Sequence, residues 1–357
     1  MIHSSTLRAM LCCALLTSSA LSQTIDTARV RTVYDAVAAR RNEIERSNGH
    51  FAEVNGIRMH YLEWGAPNGV PLVWAHGPSG TGYEVRNVAP QLVQAGYRVI
   101  AVDYRGHGQT RVANYEFSIQ DVADDLVALL DHLKIRAAVF GGASKGAFIA
   151  SAVYDQYPDR VLGLLLANGG TWSDQWIFDH TDPAVVRDRI TWEELPPDIS
   201  GPSEFAVFMQ MVGRDVSSNA NPAIEPLFDL LVRINPAGNN RWAFLPGFSQ
   251  MMGTIPSYTA GVTRPTTLPL FQWSEHAMIP LVVYRHLNVP MMILDPQQPN
   301  EVFLVTDQNE RLARLHPTLV THRVYPQTNR DVLRAKPEWF VRDALELLGR
   351  VRERASR

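Results

Sequence analysis

The sequence predicts an α/β protein built on a mostly parallel, twisted β-sheet with helices on both faces. Short apolar runs alternate with helical patterns through residues 51–171 and again through 287–357. The connections between these runs are short, which favours parallel strands joined by helices. The composition, 46% hydrophobic and 19% charged over 357 residues, suits one such core that carries an insertion.

The first half of the chain gives the elements in order. Residues 27–46 carry a broken apolar stripe at helical spacing, which predicts an amphipathic helix, and a hairpin around an Asn55-Gly56 turn follows. The alternating part then predicts strands at 71–75, 97–103, 137–141 and 161–168, with helices at 84–95, 119–133 and 146–157.

The alternation stops near residue 172 and resumes near 287. The stretch between is rich in Pro, Met, Trp and Phe and shows no alternating strands, which predicts a helical cap over the sheet edge. Its aromatic and methionine side chains either line an apolar pocket or pack the cap onto the core. The predicted order closes with a strand at 289–294, a helix at 302–315, a strand at 319–325 and a helix from 337.

The amino terminus has the pattern of a secretory signal peptide over residues 1–22. An apolar run at 9–16 is followed by a small-residue exit at 20–22, although a frayed or mis-assigned start gives the same pattern. Cys12 and Cys13 both lie inside this segment, so a mature chain would have neither a disulfide nor thiol chemistry. We therefore expect an exported protein, periplasmic or secreted.

These patterns divide the chain into five parts. They are a signal peptide at 1–22, a helical extension at 23–50, the first part of the core at 51–171, a cap insertion at 172–286 and the second part of the core at 287–357.

Composition and motifs also exclude several classes of function. The net charge of −3 and the lack of a basic stripe argue against nucleic-acid binding, and no later apolar run is long enough to span a bilayer. We find no cluster of metal ligands, no phosphate loop and no dinucleotide fingerprint. We therefore expect no cofactor, no metal, and a small molecule as substrate or ligand. The sequence does not indicate the oligomeric state.

The strongest chemical signal is Gly142-Ala143-Ser144-Lys145-Gly146, between the predicted strand 137–141 and the predicted helix 146–157. The G-x-S-x-G pattern in that setting is typical of a nucleophile elbow. The glycines remove Cβ atoms so that the chain turns sharply and exposes Ser144 above the sheet. The amino end of the helix favours negative charge at the same place. We therefore expect Ser144 to be a nucleophile.

Two further motifs follow neighbouring strands: AHGPSG at 75–80 and DYRGHGQT at 103–110. With the elbow, they make the chain resemble the serine-nucleophile branch of the α/β-hydrolase superfamily, over roughly residues 51–170 and 286–350. The resemblance implies an α/β-hydrolase fold with a cap inserted at about 172–286. It also implies that an acid and then a histidine follow Ser144 in sequence.

The position at which the resemblance implies the histidine is occupied by Arg330. Arginine is cationic at any accessible pH and cannot accept the serine proton. The acid is also displaced, because Asp295 falls too early and Glu301 is the nearest reasonable carboxylate. Glu301 is either this acid, which would then lie close enough to pair with Arg330, or a charge in a structural salt bridge or a solvated loop. Other histidines are candidates for the base, and the alternative for each is a packing or surface role. They are His76, His107, His180, His276, His286, His316 and His322.

The oxyanion hole implied by the resemblance is also incomplete. One donor is the Lys145 N–H, but the residue after His76-Gly77 is Pro78, which has no N–H. The Gly77 N–H is a further candidate donor, and the Ser79 N–H or hydroxyl would substitute if the loop is shifted. Loss of one such donor costs roughly 2 to 4 kcal/mol of transition-state stabilisation.

Two cations border the expected site. If Lys145 and Arg330 both face the pocket, with His76 beside them, the site suits a carboxylate, sulfate or phosphate group. A lysine with a lowered pKa would also serve as the base, and the alternative is that Lys145 points to solvent.

Two functions therefore stay open. The first is a serine hydrolase acting through Ser144 on an ester, lactone or amide bond of a small apolar or anionic molecule. The second is a degenerate member that binds a small ligand, anionic if Lys145 and Arg330 hold it, or that performs non-hydrolytic chemistry. The usual chemistry of the fold favours the first, and the three departures favour the second.

Overall fold

The computed structural model describes residues 24–173, 176, 182, 184, 199–253, 268–298 and 305–356. The predicted signal peptide, His180 and Glu301 lie outside these residues.

Within the described residues the central sheet has eight strands, and its topology follows from the alternation in the sequence. Its strands are β1 (Gly49–Val54), β2 (Ile57–Trp64), β3 (Val70–Ala75), β4 (Tyr97–Val102), β5 (Ala138–Ala143), β6 (Val161–Ala167), β10 (Met291–Gln297) and β11 (Val320–Pro326). They lie in the order β1-β2-β4-β3-β5-β6-β10-β11. The pairs β1–β2 and β2–β4 are antiparallel, and the other pairings in this sheet are parallel.

Helices cover both faces of this sheet, as predicted. The helices of the described residues are α1 (Thr27–Asn48), α2 (Ala89–Gln94), α3 (Ile119–His132), α4 (Lys145–Gln156), α5 (Glu204–Ser218), α6 (Ile224–Leu231), α7 (Phe248–Met252), α8 (Leu270–His276), α9 (Pro280–Val283), α10 (Thr306–Leu315), α11 (Val332–Ala335) and α12 (Pro337–Ala355). Buried side chains of α3 and α4 form one apolar cluster with the sheet, and those of α2 and α12 form another. The predicted fold class is confirmed.

The predicted helix 84–95 is wrong in its first half. A 3-10 turn occupies Gly82–Val85 instead, and α2 begins only at Ala89. Pro90 stands in the first turn of α2, where its missing N–H leaves no bond unmade. The same residue in the interior of a longer helix would remove a hydrogen bond, so the helix starts here.

The prediction that 172–286 holds only helices is also wrong. A small antiparallel sheet in the order β7-β9-β8 is formed by β7 (Ser200–Gly201), β8 (Ile234–Gly238) and β9 (Arg241–Phe244). Gly238 at the end of β8 and the turn residues Asn239 and Asn240 all have positive φ. Glycine and asparagine tolerate that conformation, so this turn chemistry was the signal for a hairpin.

Helix α1 packs against α5 and α6 through a third apolar cluster, which includes Val30 and Val37. Tyr34 contacts Phe205 and Phe208 edge to face, with ring centroids 5.2 and 5.5 Å apart. These aromatic side chains of the insertion therefore pack against a helix, as the packing alternative required.

Candidate active site

Ser144 occupies the sharp turn between β5 and α4. Its φ of 51° and ψ of −115° place a non-glycine residue in a sparsely populated region, at a cost of about 1–3 kcal/mol. The surrounding backbone fixes this conformation: the Ser144 N–H donates to the carbonyl of Ala167 at 2.8 Å, and the Ser144 carbonyl accepts from Ala147 at 2.9 Å. The half-buried serine side chain makes no hydrogen bond to any described residue.

Three glycines make this turn sterically allowed. A Cβ at Gly146 would overlap the carbonyl oxygen of Ala75, and a Cβ at Gly142 would overlap the backbone of Gly146. A Cβ at Gly169 would overlap the Ser144 carbonyl. The backbone approaches itself so closely at these points that only glycine fits.

The loop after β3 lies against the elbow. A Cβ at Gly77 would lie in ordinary contact with the Ala143 carbonyl oxygen, at 3.6 Å. The Gly77 N–H donates to the Glu84 carboxylate, and the Gly77 carbonyl accepts from Gly80 at 2.9 Å. The Gly77 N–H therefore already has an acceptor. As the first residue of α4, Lys145 keeps an N–H without an intrahelical acceptor beside Ser144.

His76 is fully buried beneath this loop. Its ring stacks on Tyr104 at 4.2 Å, and its Nδ1–H donates to the Gly77 carbonyl at 2.6 Å. Burial first, and then His107, lowers the pKa of His76 to about 3, so the ring is neutral. Its Nε2 has no hydrogen-bond partner among the described residues, and neither does the Tyr104 hydroxyl.

The structure brings no described histidine into hydrogen-bond contact with Ser144. Arg330 is exposed in the loop between β11 and α11. His322 donates to Asp295 at 2.9 Å, and Asp295 also accepts from the Thr306 hydroxyl at 2.8 Å. This pair joins β10 and β11. With β11 three strands from β5, His322 lies about 14 Å to the side of the elbow strand.

Comparison with solved structures supports what the topology and the elbow indicate. The chain is similar to E-2-(acetamidomethylene)succinate hydrolase, with a TM-score of 0.61, 17% identity, and coverage of 84% of this chain and 98% of that one. It is also similar to a meta-cleavage product hydrolase from Pseudomonas fluorescens, with a TM-score of 0.58, 22% identity, and coverage of 85% and 98%. A family model described as the alpha/beta hydrolase fold matches residues 70–198. The chain has the α/β-hydrolase fold.

Curated relatives match this α/β-hydrolase-fold chain over a shorter stretch. Bifunctional epoxide hydrolase 2 from Sus scrofa is 32% identical over 124 residues, 34% of this chain and 22% of the relative. A haloalkane dehalogenase from Mycolicibacterium paratuberculosis is 33% identical over 117 residues, 32% of this chain and 38% of the relative. The matched part thus spans less than two fifths of either relative.

Lys145 forms an ion pair with Glu275 of α8. Both side chains are shielded from solvent, with exposed fractions of 13% and 1%. The ammonium group therefore does not point to solvent, as one alternative held. It already has a carboxylate partner, which reduces its capacity to attract an anionic ligand.

The loop after β4 has mainly a structural role, because its side chains hydrogen-bond to neighbouring loops. The buried Asp103 carboxylate accepts from the Gly82 N–H at 2.7 Å, the Gln109 N–H at 2.9 Å and His60 Nδ1 at 2.8 Å. His107 Nε2 donates to the Pro78 carbonyl at 2.9 Å. These bonds join the segment 103–110 to the loop after β3 and hold that loop beside the elbow.

Glu84, in the 3-10 turn, is the titratable group that the sequence analysis missed. Its carboxylate accepts from the Trp74 indole N–H at 2.9 Å and from the Gly77 N–H. Burial is the main cause that raises the pKa of Glu84 to about 7. No motif identifies such a residue, because its environment depends on β3 and on the loop that follows.

No helix in the described ranges has both the length and the hydropathy that crossing a bilayer requires. Within those ranges, His, Cys, Asp and Glu side chains also form no group of three that would hold a metal ion.

Proposed function

We propose that this protein hydrolyses an ester, lactone or amide bond of a small molecule, with Ser144 as the nucleophile. The observation that carries the proposal is the strained backbone of Ser144. A conformation that costs about 1–3 kcal/mol persists only where the surroundings impose it, and such positions cluster at functional sites. Here three glycines and two backbone hydrogen bonds impose it.

The local electrostatics support attack at this position. The Ser144 Oγ would add to the substrate carbonyl, and the oxyanion that forms would accept from the Lys145 N–H at the start of α4. Collapse of this intermediate would break the C–O or C–N bond, and the alcohol or amine group that leaves would take up the proton lost by Ser144. Water would then attack the acyl-serine, release the acid and restore the Ser144 hydroxyl. The Lys145 side chain, paired with Glu275, leaves this role to the backbone. The base that accepts the serine proton is not assigned to any described residue.

A second function is favoured by a different observation. The Ser144 hydroxyl has no imidazole partner among the described residues, and a serine without one retains only the rate that oxyanion stabilisation and binding provide. A degenerate member of the fold would bind a small ligand in the same place without hydrolysing it.

Labelling with a fluorophosphonate probe separates these functions. We expect the parent protein and Ser218→Ala, a control at an exposed serine of α5, to be labelled, and Ser144→Ala to remain unlabelled. Absence of labelling in the parent protein, with labelling gained in Arg330→His, would contradict hydrolysis and support the degenerate member. Labelling that persists in Ser144→Ala would also contradict the assignment of the nucleophile.

We also propose that the protein is exported, on the strength of the apolar run and small-residue exit in residues 1–22. Amino-terminal sequencing of the protein recovered from a periplasmic or culture fraction tests this. A chain found only in the cytoplasm and still beginning at Met1 would contradict it.

A further inference from the structure

A small cleft opens beside the loop that follows β3. Gly80 and Thr81 of that loop line it, together with side chains of the 3-10 turn, of the end of α6 and of α11. Its volume is about 40 Å³. Because one water requires roughly 10–15 Å³, the cleft holds about three water-sized groups, which is the size of a carboxylate.

The acidic groups of the cleft already have donors. Asp229 forms an ion pair with Arg86, at 2.9 Å, and also pairs with Arg334. Asp331 lies 3.4 Å from Arg334 and accepts from the backbone N–H of the same residue at 3.2 Å. Glu84 accepts from the Trp74 indole and the Gly77 N–H.

Arg233 differs from the other cations of the cleft. Its guanidinium makes no hydrogen bond or ion pair with any described residue, although Asp229, Asp331 and Glu84 are near enough to act on it electrostatically. Burial is the main effect on this side chain and lowers its pKa, yet an arginine remains protonated in proteins. A second donor, Arg86 Nε, is buried and has no acceptor in the part of the chain that the structure describes. Partly desolvated donors of this kind gain most from a bound anion.

The cleft is connected to the elbow by a short loop. The loop contains Gly77, next to Ala143 of the elbow, and Gly80 and Thr81, which line the cleft. The charge of Arg233 also acts on His76, which lies at the start of the same loop. One short loop therefore borders both the elbow and the cleft.

We propose that Arg233 binds a carboxylate of the substrate in this cleft, so that the preferred substrate is an ester, lactone or amide that also carries a free acid. The proposal rests on the proposed function for the position of the reacting bond. The cation that selects an acidic substrate is then Arg233 and not Lys145, because Lys145 is already paired with Glu275. The carboxylate would form a bidentate pair with the guanidinium, which a lysine cannot reproduce.

The kinetic test uses two esters with the same leaving group. We expect the protein to hydrolyse mono-4-nitrophenyl succinate with a higher kcat/KM than 4-nitrophenyl butyrate. In Arg233→Gln, kcat/KM for the acidic ester should fall roughly tenfold to hundredfold, as the loss of a charged hydrogen bond implies. Turnover of the neutral ester should stay unchanged, which also shows that the variant is folded.

Two further variants sharpen this test. Arg233→Lys keeps the charge and should lose only part of the preference for the acid. Arg214→Gln removes a charge at an exposed position of α5 and should behave like the parent protein. An equal fall for both esters in Arg233→Gln, or an unchanged preference, would overturn the proposal while hydrolysis itself stands.

A binding measurement separates failure of this proposal from failure of the proposed function. Calorimetric titration with glutarate requires no turnover. If neither ester is hydrolysed but glutarate binds the parent protein at least tenfold more tightly than Arg233→Gln, the anion site stands and hydrolysis does not. Binding that is absent, or equal in the two proteins, would overturn the anion site, because Arg233 would then be a solvated structural cation.

Discussion

Replacing Glu84 by Gln should change how the free energy of unfolding depends on pH. The Glu84 carboxyl is enclosed by the 3-10 turn and the end of β3, with the Trp74 indole and the Gly77 N–H as its donors. Burial raises its pKa most, Asp331 raises it further, and Arg233 acts in the opposite direction. Glutamine has the same shape as the protonated acid and keeps an oxygen for both donors.

The magnitude follows from the two pKa values. The folded protein has a Glu84 pKa of about 7, and the ordinary value of the group is 4.5. The folded state therefore keeps its proton between these pH values while the unfolded chain loses it. Stability falls as the pH rises through this window, by about 1.4 kcal/mol per pKa unit and hence about 3 kcal/mol in all. Above pH 7 the penalty is constant, and below 4.5 it is absent.

Urea unfolding followed by tryptophan fluorescence, from pH 4 to 8.5, measures this dependence. The stability of Glu84→Gln relative to the parent protein should rise by about 3 kcal/mol across the window. Glu43→Gln, at an exposed position of α1, loses one carboxylate without this enclosure and should show no such rise. A difference between Glu84→Gln and the parent that stays constant from pH 4 to 8.5 would refute the reasoning, since Glu84 would then be solvated.

Three further predictions concern the elbow and two buried ion pairs. Ser144→Gly should raise the free energy of unfolding by about 1 kcal/mol, because glycine adopts the positive φ without strain, and thermal unfolding that shows no gain would contradict the strain. Glu275→Gln should cost about 3 kcal/mol in urea unfolding because Lys145 then loses its carboxylate, and Lys145→Met in the same chain should recover most of the loss. For His60, burial lowers the pKa but Asp103 and a second carboxylate outweigh it and raise it to about 9. Its stabilisation is therefore complete below pH 6.5 and is lost as the pH rises through 9, so the deficit of His60→Gln in urea unfolding should shrink across that window. A deficit that does not change with pH would contradict a charged His60.

The parts of the fold that local sequence determines were predictable. The elbow at Ser144 depends on glycines at fixed spacing between an apolar strand and a helix, and the alternation determines a parallel sheet. The start of α2 and the hairpin in the insertion were missed, although Pro90 and Asn239 mark them, because apolar spacing outweighed turn chemistry in the interpretation.

The electrostatics of the site were not predictable in the same way. Arg233 and Lys145 look alike in sequence, as single cations beside apolar runs. Only the folded chain shows that Glu275 pairs with Lys145, whereas Asp229 beside Arg233 pairs with Arg86 and Arg334 instead. The same holds for His322, whose contact with Asp295 depends on the register of β10 and β11.

The contacts of α1 have a consequence for the order in which the protein is assembled. Arg41 pairs with Glu204, which lies 163 residues later in the chain, and the Tyr34 hydroxyl donates to the same carboxylate. At a synthesis rate of about 5–20 residues per second, that separation corresponds to roughly 10 to 30 s. Until then, Val30 and Val37 lack the part of their apolar cluster that α5 and α6 supply. The helix that precedes the whole sheet in the chain is thus among the last elements to reach its final contacts.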